Sequence, residues 1–157
     1  MFLIILAAGK SKRFENTIPK QYTKLGNKTI LEHSLDAFSD FKQIKKTIVV
    51  YNKKHKKYLK KLNLKNVIKI TGGDTRQQST FKALSKIKNM HCKKVLIHDS
   101  ARPFPSKELI NKIISNIKKN DAVIPIIKIN DATKRVEKNI VFKNIERNSL
   151  RLSQTPQ

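Results

Sequence analysis

Five short apolar runs recur along the chain and constrain its fold more than any other feature. Each run is continuous and rich in β-branched or other aliphatic residues, and the runs cover residues 2–6, 47–51, 67–71, 95–98 and 122–126. Such runs are typical of strands that are covered on both faces. The stretches between them have helical periodicity, so the alternation predicts an α/β fold with a doubly wound, mainly parallel sheet. Ligands of such sheets bind at the carboxyl ends of the strands.

Capping signals predict where the helices begin. Thr29 and Glu32 have the spacing of a capping box, Asp74 or Thr75 can cap a later helix, and Ser106 can cap the last one. A lysine-rich stretch over residues 53–62 predicts a further, mostly solvated helix. The apolar residues expected to face the core are Leu31, Leu35 and Phe38; Phe81, Leu84 and Ile87; and Leu109, Ile110, Ile113, Ile114 and Ile117.

Beyond residue 126 the pattern changes to short polar and apolar alternations over residues 128–136 and 140–142. This pattern predicts a β-hairpin, forming a protruding arm over approximately residues 128–147 of a single domain that covers residues 1–157. An arm of this kind can serve dimerisation, so we expect a homodimer.

The composition of the chain limits the classes of partner that the protein can have. The formal charge of +24 would attract nucleic acid, acidic membranes or phosphorylated metabolites. The lysines are scattered without interleaved aromatic residues, which argues against a nucleic-acid partner. No apolar run approaches the length that spans a bilayer, so we expect no membrane partner and a cytoplasmic location. The single cysteine, Cys92, excludes an intrachain disulfide and a cysteine zinc cluster.

A loop of small residues follows the first apolar run. Ala7, Ala8 and Gly9 let the main chain approach a ligand, and their backbone N–H groups can face phosphate oxygens. Arg13 and Lys20 would supply the countercharge for a triphosphate. Taken singly, Gly9 can merely end a strand and the two cations can be ordinary surface residues. The spacing of a P-loop is absent, which excludes a kinase or ATPase site of that type here.

A second loop, G-G-D-T-R-Q-Q-S, starts at Gly72 and ends at Ser79, one turn into the predicted helix. Its two glycines allow close backbone approach, and the loop could hold a nucleobase or ribose. The simpler alternative is a Gly-Gly turn followed by an Asp or Thr cap.

A third loop, H-D-S-A-R-P, leaves the fourth apolar run. Asp99 can hold Mg²⁺ or orient a substrate hydroxyl, and Arg102 can meet a phosphate as a planar fork. Alternatively, Asp99 only pairs with Arg102. His98 is expected to be a packed residue rather than a ligand.

Seven collinear motifs span the chain: L-A-A-G-K-S-K-R-F, P-K-Q, G-G-D-T-R-Q-Q-S, H-D-S-A-R-P, D-A-T-K, E-R-N and Q-T-P-Q. Together they resemble the motifs of the 2-C-methyl-D-erythritol 4-phosphate cytidylyltransferases, a family of Rossmann-like nucleotidyltransferases that act on sugar and polyol phosphates. The resemblance implies CMP transfer from CTP to 2-C-methyl-D-erythritol 4-phosphate in non-mevalonate isoprenoid synthesis, with pyrophosphate release and a need for Mg²⁺. Alternatives are a ribitol 5-phosphate cytidylyltransferase and an inactive binding or scaffold fragment.

The resemblance also implies residue roles. Arg13, Lys20 and Arg147 would be catalytic, with Arg147 reaching across from a neighbouring subunit, and Asp99 would lie near the metal. Nucleotide contacts would come from Leu6, Ala7, Ala8, Gly9, Gly73, Asp74 and Ser79, and substrate contacts from Asp99, Arg102, Thr133, Arg147 and Thr155.

The chain departs from the family pattern at three places. Ser11 stands where the family usually has a glycine, which requires backbone angles open to an L-residue. Ala132 stands where the family has a threonine contact. The family normally continues for a further strand and helix, so we expect residues 1–157 to lack a C-terminal segment.

Overall fold

The computed structural model describes residues 1–11 and 17–157. Its regular elements, in chain order, are β1 (Phe2–Ala7), β2 (Lys24–Leu25), β3 (Lys28–Thr29), α1 (Ile30–Asp36), β4 (Lys46–Tyr51), α2 (Lys56–Lys60), β5 (Val67–Thr71), α3 (Arg76–Ile87), β6 (Val95–Asp99), α4 (Lys107–Asn116), β7 (Ile126–Lys128), β8 (Thr133–Glu137), β9 (Ile140–Ile145) and β10 (Arg151–Ser153). Single 3₁₀ turns lie at Lys20–Tyr22, Lys53–His55 and Arg147–Ser149.

The central sheet is parallel and has the strand order β5-β4-β1-β6, which confirms the predicted α/β class. Strand β1 lies between β4 and β6, and Leu6 is in register with Asp99. The carboxyl ends of β1 and β6 therefore lie side by side. This register brings the small-residue loop next to the acidic loop, although about ninety residues separate them in sequence.

Apolar side chains cover both faces of the sheet, as a doubly wound fold requires. Leu3 and Ile5 pack on one face with residues of α1 and α4, such as Leu31 and Ile110. The alternate β1 residues, Phe2 and Ile4, pack on the other face against Ala83 and Ile87 of α3. Burying one such aliphatic side chain contributes roughly 1.5–3 kcal/mol of transfer free energy. The continuous apolar sequence of β1 therefore fits its two-sided burial.

The predicted helix caps are confirmed. Thr29 and Glu32 form a reciprocal capping box, in which the Thr29 N–H donates to Glu32 Oε2 over 2.7 Å. Of the two candidates for α3, Thr75 is the cap, and its hydroxyl accepts from the Gln78 N–H over 3.1 Å. Ser106 caps α4 through the Leu109 N–H. Local sequence therefore specifies where these helices begin.

The predicted inward face of α3 is wrong in part. Ile87 is buried, but Phe81 is 69% exposed and Leu84 is 37% exposed. The buried stripe is Ser79, Ala83 and Ile87 at a spacing of four residues. Small residues at the start of the stripe let this end of α3 approach the sheet closely, which larger side chains there would prevent.

The predicted fifth strand over residues 122–126 is also wrong. The strand begins at Ile126, and it pairs antiparallel with β10, with Ile126 opposite Ser153, instead of joining the central sheet. Pro125 explains the difference, because a proline has no N–H to donate to a strand ladder. Its carbonyl instead accepts from the Gln154 N–H over 2.8 Å.

Strands β8 and β9 pair antiparallel around Lys138 and Asn139, whose positive φ angles of 48° and 66° are typical of a two-residue hairpin turn. Several apolar side chains of the hairpin are exposed, among them Ile140 and Phe142. The extent of the arm and its role in dimerisation stay predictions. Within residues 1–11 and 17–157, no helix combines the length and apolar character needed to cross a bilayer.

Candidate active site

A cleft of about 880 Å³ opens at the carboxyl ends of β1 and β6. This volume is in the range of small-molecule sites. The predicted site residues that line it are Leu6, Ala8, Gly9, Lys20, Gly73, Asp74, Ser79 and Asp99. The other described residues of the wall are Lys10, Ser11, Gln21, Thr75, Arg76, Ser100 and Ala101. The fold thus brings the three predicted loops together in one hollow.

Other predicted residues lie elsewhere. Ala7 is buried beneath the cleft, and Arg102, Thr133, Arg147 and Thr155 are not part of its wall. Arg147 is exposed, and its guanidinium donates to the carbonyl of Asn130 near the hairpin. Its predicted role from a neighbouring subunit stays a prediction. Arg13 lies outside the described residues, so its predicted role is untested.

Gln21 attaches the lysine-bearing turn to the first loop. The side chain is buried, and its Nε2 donates to the carbonyls of Ala7 over 2.9 Å and Gly9 over 3.1 Å. These bonds hold the 3₁₀ turn against the end of β1, so that Lys20 shares the cleft with Gly9. Sequence reasoning named Gln21 only as part of P-K-Q, and a buried amide gives no separate local signal.

The loop after β1 and the loop after β5 meet so closely that residue 72 must be a glycine. A Cβ atom on Gly72 would lie 2.6 Å from the Cβ of Ala8 and 2.8 Å from the Oγ of Ser79. A Cβ on Gly73 would lie 2.5 Å from the Cβ of Gln78. At Gly9, by contrast, a Cβ would meet no atom of residues 1–11 or 17–157, its own chain neighbours aside, within 4 Å. None of the described residues therefore fills the space beside Gly9.

We expect Gly72→Ala to destabilise the protein by about 1–3 kcal/mol, because the new methyl group overpacks the contact with Ala8 and Ser79. Urea unfolding measures the change. Gly9→Ala is the matched control, since its methyl group would meet none of the described residues beyond its chain neighbours. A wild-type midpoint for Gly72→Ala would contradict the described contact.

Two arginines hold the carboxylate of Asp99. Arg76 Nε lies 3.1 Å from Oδ1, and Arg102 Nε lies 3.8 Å from Oδ2. The pairing of Asp99 with Arg102 that the sequence suggested is therefore present, but the shorter contact comes from Arg76. Arg76 was missed as a site residue, although it lies inside G-G-D-T-R-Q-Q-S. All three side chains are partly exposed, so each pair contributes little to stability.

His98 packs behind this carboxylate and is fully buried, which confirms the expectation for this residue. Its Nε2 lies 2.8 Å from the Arg102 carbonyl, which can only accept, so Nε2 is the protonated nitrogen. Nδ1 then accepts from the Thr155 hydroxyl over 3.1 Å. The same hydroxyl oxygen lies 3.4 Å from the Asp99 N–H. Thr155 therefore holds the end of β6 from behind, and its predicted contact with a substrate phosphate stays a prediction.

Burial lowers the pKa of His98 below its ordinary value, while the Arg102 carbonyl and the Asp99 carboxylate oppose the shift. The folded state therefore binds this proton less readily than the unfolded state, and stability falls as the pH drops below about 6.5. Urea midpoints across pH 5–8 should fall toward low pH. His98→Gln should reduce this slope. If His98 of the folded wild-type protein takes up its proton near pH 6.5 in an NMR titration, the lowered pKa is wrong.

The cleft suits a phosphorylated ligand. Lys10, Lys20 and Arg76 stand in its wall with Asp74 and Asp99, and Lys10 Nζ lies 3.3 Å from Asp74 Oδ1. In the part of the chain that the structure describes, no group of three or more His, Cys, Asp or Glu side chains could hold a metal. One or two carboxylates are nevertheless sufficient for Mg²⁺ when substrate phosphates supply further ligands.

A parallel sheet with loops at its carboxyl edge and a cationic cleft there places the protein in the Rossmann-like α/β class. Within this class, the chain belongs to the 2-C-methyl-D-erythritol 4-phosphate cytidylyltransferase (IspD) family, whose sequence profile matches residues 1–157. The resemblance seen in the seven motifs is thereby confirmed.

Individual relatives agree with the family. The chain is 48% identical over 154 residues to a bifunctional IspD/IspF enzyme of Pelagibacter ubique, covering 98% of this chain and 41% of that protein. It is 38% identical over 160 residues to a 2-C-methyl-D-erythritol 4-phosphate cytidylyltransferase of Thermosipho melanesiensis, covering 98% and 70%. The chain thus spans about two fifths of the bifunctional relative.

Solved structures give the same result. The bifunctional IspDF of Campylobacter jejuni superposes with a TM-score of 0.84 at 36% identity, covering 99% of this chain and 39% of that one. The IspD of Francisella tularensis superposes with a TM-score of 0.78 at 34% identity, covering 99% and 70%.

Proposed function

We propose that this chain transfers CMP from CTP to 2-C-methyl-D-erythritol 4-phosphate and releases pyrophosphate, a step of non-mevalonate isoprenoid synthesis. The observation that carries the proposal is that Gly9, Lys20 and Gly73 line one and the same cleft. Several relatives bear the name of this activity, which supports the choice of substrates.

The reaction requires no protein nucleophile, because the phosphate of the polyol is already anionic at neutral pH. It attacks the α-phosphorus of CTP, and negative charge builds up on the leaving pyrophosphate. Fixed cations and N–H groups stabilise such charge more in the transition state than in the ground state. We assign this role to Lys20 and Arg13, with the backbone beside Gly9 holding the triphosphate.

The cytidine would lie against the second loop. Gly73, Asp74 and Ser79 line the cleft on that side, and the Ser79 hydroxyl accepts from the Gly73 N–H over 3.1 Å. This contact fixes the loop before a nucleotide arrives. Asp99 lies across the cleft beside Arg102, and we assign both to the polyol phosphate.

We further propose a cytoplasmic homodimer in which the hairpin of one subunit brings Arg147 and Thr133 to the polyol site of its partner. The exposed apolar side chains of the hairpin, Val136, Ile140 and Phe142, support an interface there. Because the hairpin that carries these side chains directly precedes Arg147, its burial against a second subunit would also bring this guanidinium near that subunit.

The cleft also fits Mg²⁺, with Asp99 as the first candidate ligand and Asp74 as the second carboxylate of the wall. When bound, Mg²⁺ supplies charge neutralisation on the phosphate oxygens. Asp99 would exchange part of its contact with Arg76 for the ion, since the pair is partly exposed and weak.

Pyrophosphate release from CTP and Mg²⁺ tests the activity, with 2-C-methyl-D-erythritol 4-phosphate and ribitol 5-phosphate compared side by side. We expect release that depends on the methylerythritol compound. Release with ribitol 5-phosphate alone would replace the proposed substrate. CTP binding without release in either mixture would favour the binding or scaffold alternative.

A further inference from the structure

Ser11 lies in the cleft wall with a φ of 51°, in the left-handed region that favours glycine. An L-residue there carries a conformational cost that glycine would not. A residue whose backbone persists in such a conformation needs compensating contacts. Its hydroxyl makes two of them.

The Ser11 hydroxyl donates to Gln21 Oε1 over 3.0 Å and accepts from the Lys20 N–H over 3.1 Å. These directions are fixed, because Gln21 Nε2 is already donating to the carbonyls of Ala7 and Gly9. The hydroxyl therefore joins the loop after β1 to the turn that bears Lys20.

We propose that Ser11 is a positioning residue that fixes the main chain from which Lys20 reaches into the cleft. The inference rests on the proposed function for the catalytic role of Lys20. A lysine side chain is long and flexible, so an anchored main chain limits where its ammonium group can lie. Displacing a catalytic group by about 1 Å can cost roughly 100-fold in rate, so this restriction favours turnover.

Replacing Ser11 with glycine separates an effect on the position of Lys20 from an effect on the stability of the protein. Glycine meets the φ of 51° without cost but lacks the hydroxyl. A residue that served only stability would change the melting temperature together with activity. If Ser11 instead positions Lys20, Ser11→Gly should leave the melting temperature unchanged or raised, while the Lys20 main chain loses its hydrogen bond to the hydroxyl. Ser11→Ala lacks the hydroxyl and keeps the backbone cost, so its melting temperature should fall.

The test compares wild type, Ser11→Gly and Ser11→Ala, with Ser39→Gly as a control at an exposed serine outside the cleft. Amide hydrogen exchange at Lys20, melting temperature and steady-state kinetics with CTP are measured. In both Ser11 variants we expect the Lys20 amide to exchange at least about tenfold faster. We expect kcat to fall at least about tenfold with an almost unchanged KM for CTP.

Wild-type exchange at Lys20 in Ser11→Gly would overturn the proposal, and so would faster exchange with an unchanged kcat. The exchange measurement does not depend on turnover. If the wild-type chain binds CTP but forms no pyrophosphate, the proposed function fails, while unchanged exchange at Lys20 would separately refute the anchoring by Ser11.

Discussion

Replacing Lys20 with alanine is expected to lower kcat by about 100- to 1000-fold, while CTP affinity falls by less than about tenfold. The reason is that the ammonium group meets the departing pyrophosphate, whose charge is greatest in the transition state. Steady-state kinetics and calorimetric titration with CTP and Mg²⁺ measure the two quantities separately.

Lys24→Ala is the matched control, because Lys24 is an exposed lysine four residues further on and does not line the cleft. It should keep wild-type kcat and CTP affinity. If Lys20→Ala lost affinity and turnover in equal measure, the lysine would bind the ground state only, and its assigned role would be wrong.

Gly9→Ala is expected to weaken CTP binding by about 10- to 100-fold without lowering the melting temperature. Its methyl group would meet no described residue within 4 Å other than its chain neighbours, and we expect it to project into the space assigned to the triphosphate. A methyl group at that contact also prevents close approach of backbone N–H groups to phosphate oxygens. Calorimetric titration and thermal melting give the two results.

Gly72→Ala should show the opposite pattern, a lower melting temperature with CTP affinity little changed. The reason is that its methyl group collides with Ala8 inside the protein. Unchanged CTP affinity in a folded Gly9→Ala variant would show that Gly9 only ends the strand, which is the simpler interpretation of its sequence.

The parts of the fold that could be predicted are those determined by residues close to one another in sequence. The apolar runs that became β1 and β4 are continuous because these strands are buried on both faces, and this property is visible in a single sequence. The run that became β5 lies at the sheet edge and is only half-buried, with Lys69 exposed. The caps at Thr29, Thr75 and Ser106 depend on contacts three residues apart, which the sequence also shows directly.

The errors arise where tertiary packing outweighs local pattern. Phe81 and Leu84 have helical spacing, but the closeness of α3 to the sheet selects the smaller side chains of Ser79 and Ala83. The run over residues 122–126 is apolar enough for a strand, but Pro125 removes a donor, and the chain pairs with β10 instead.

The site was predictable as three loops, because parallel strands bring their carboxyl ends to one edge. Its internal contacts were not. The pairing of Arg76 with Asp99 joins residues 23 positions apart, and the contact of Thr155 with His98 joins residues 57 apart. Gln21 and Ser11 meet only because the chain returns to the end of β1. None of these contacts has a local sequence signal.

A crystal structure of the chain with CTP and Mg²⁺ would show directly whether this cleft holds the nucleotide. We expect the triphosphate at the carboxyl ends of β1 and β6, with phosphate oxygens at about 3 Å from the Lys20 ammonium and from backbone N–H groups beside Gly9. A nucleotide bound elsewhere, or a Lys20 side chain directed away from the phosphates, would contradict it.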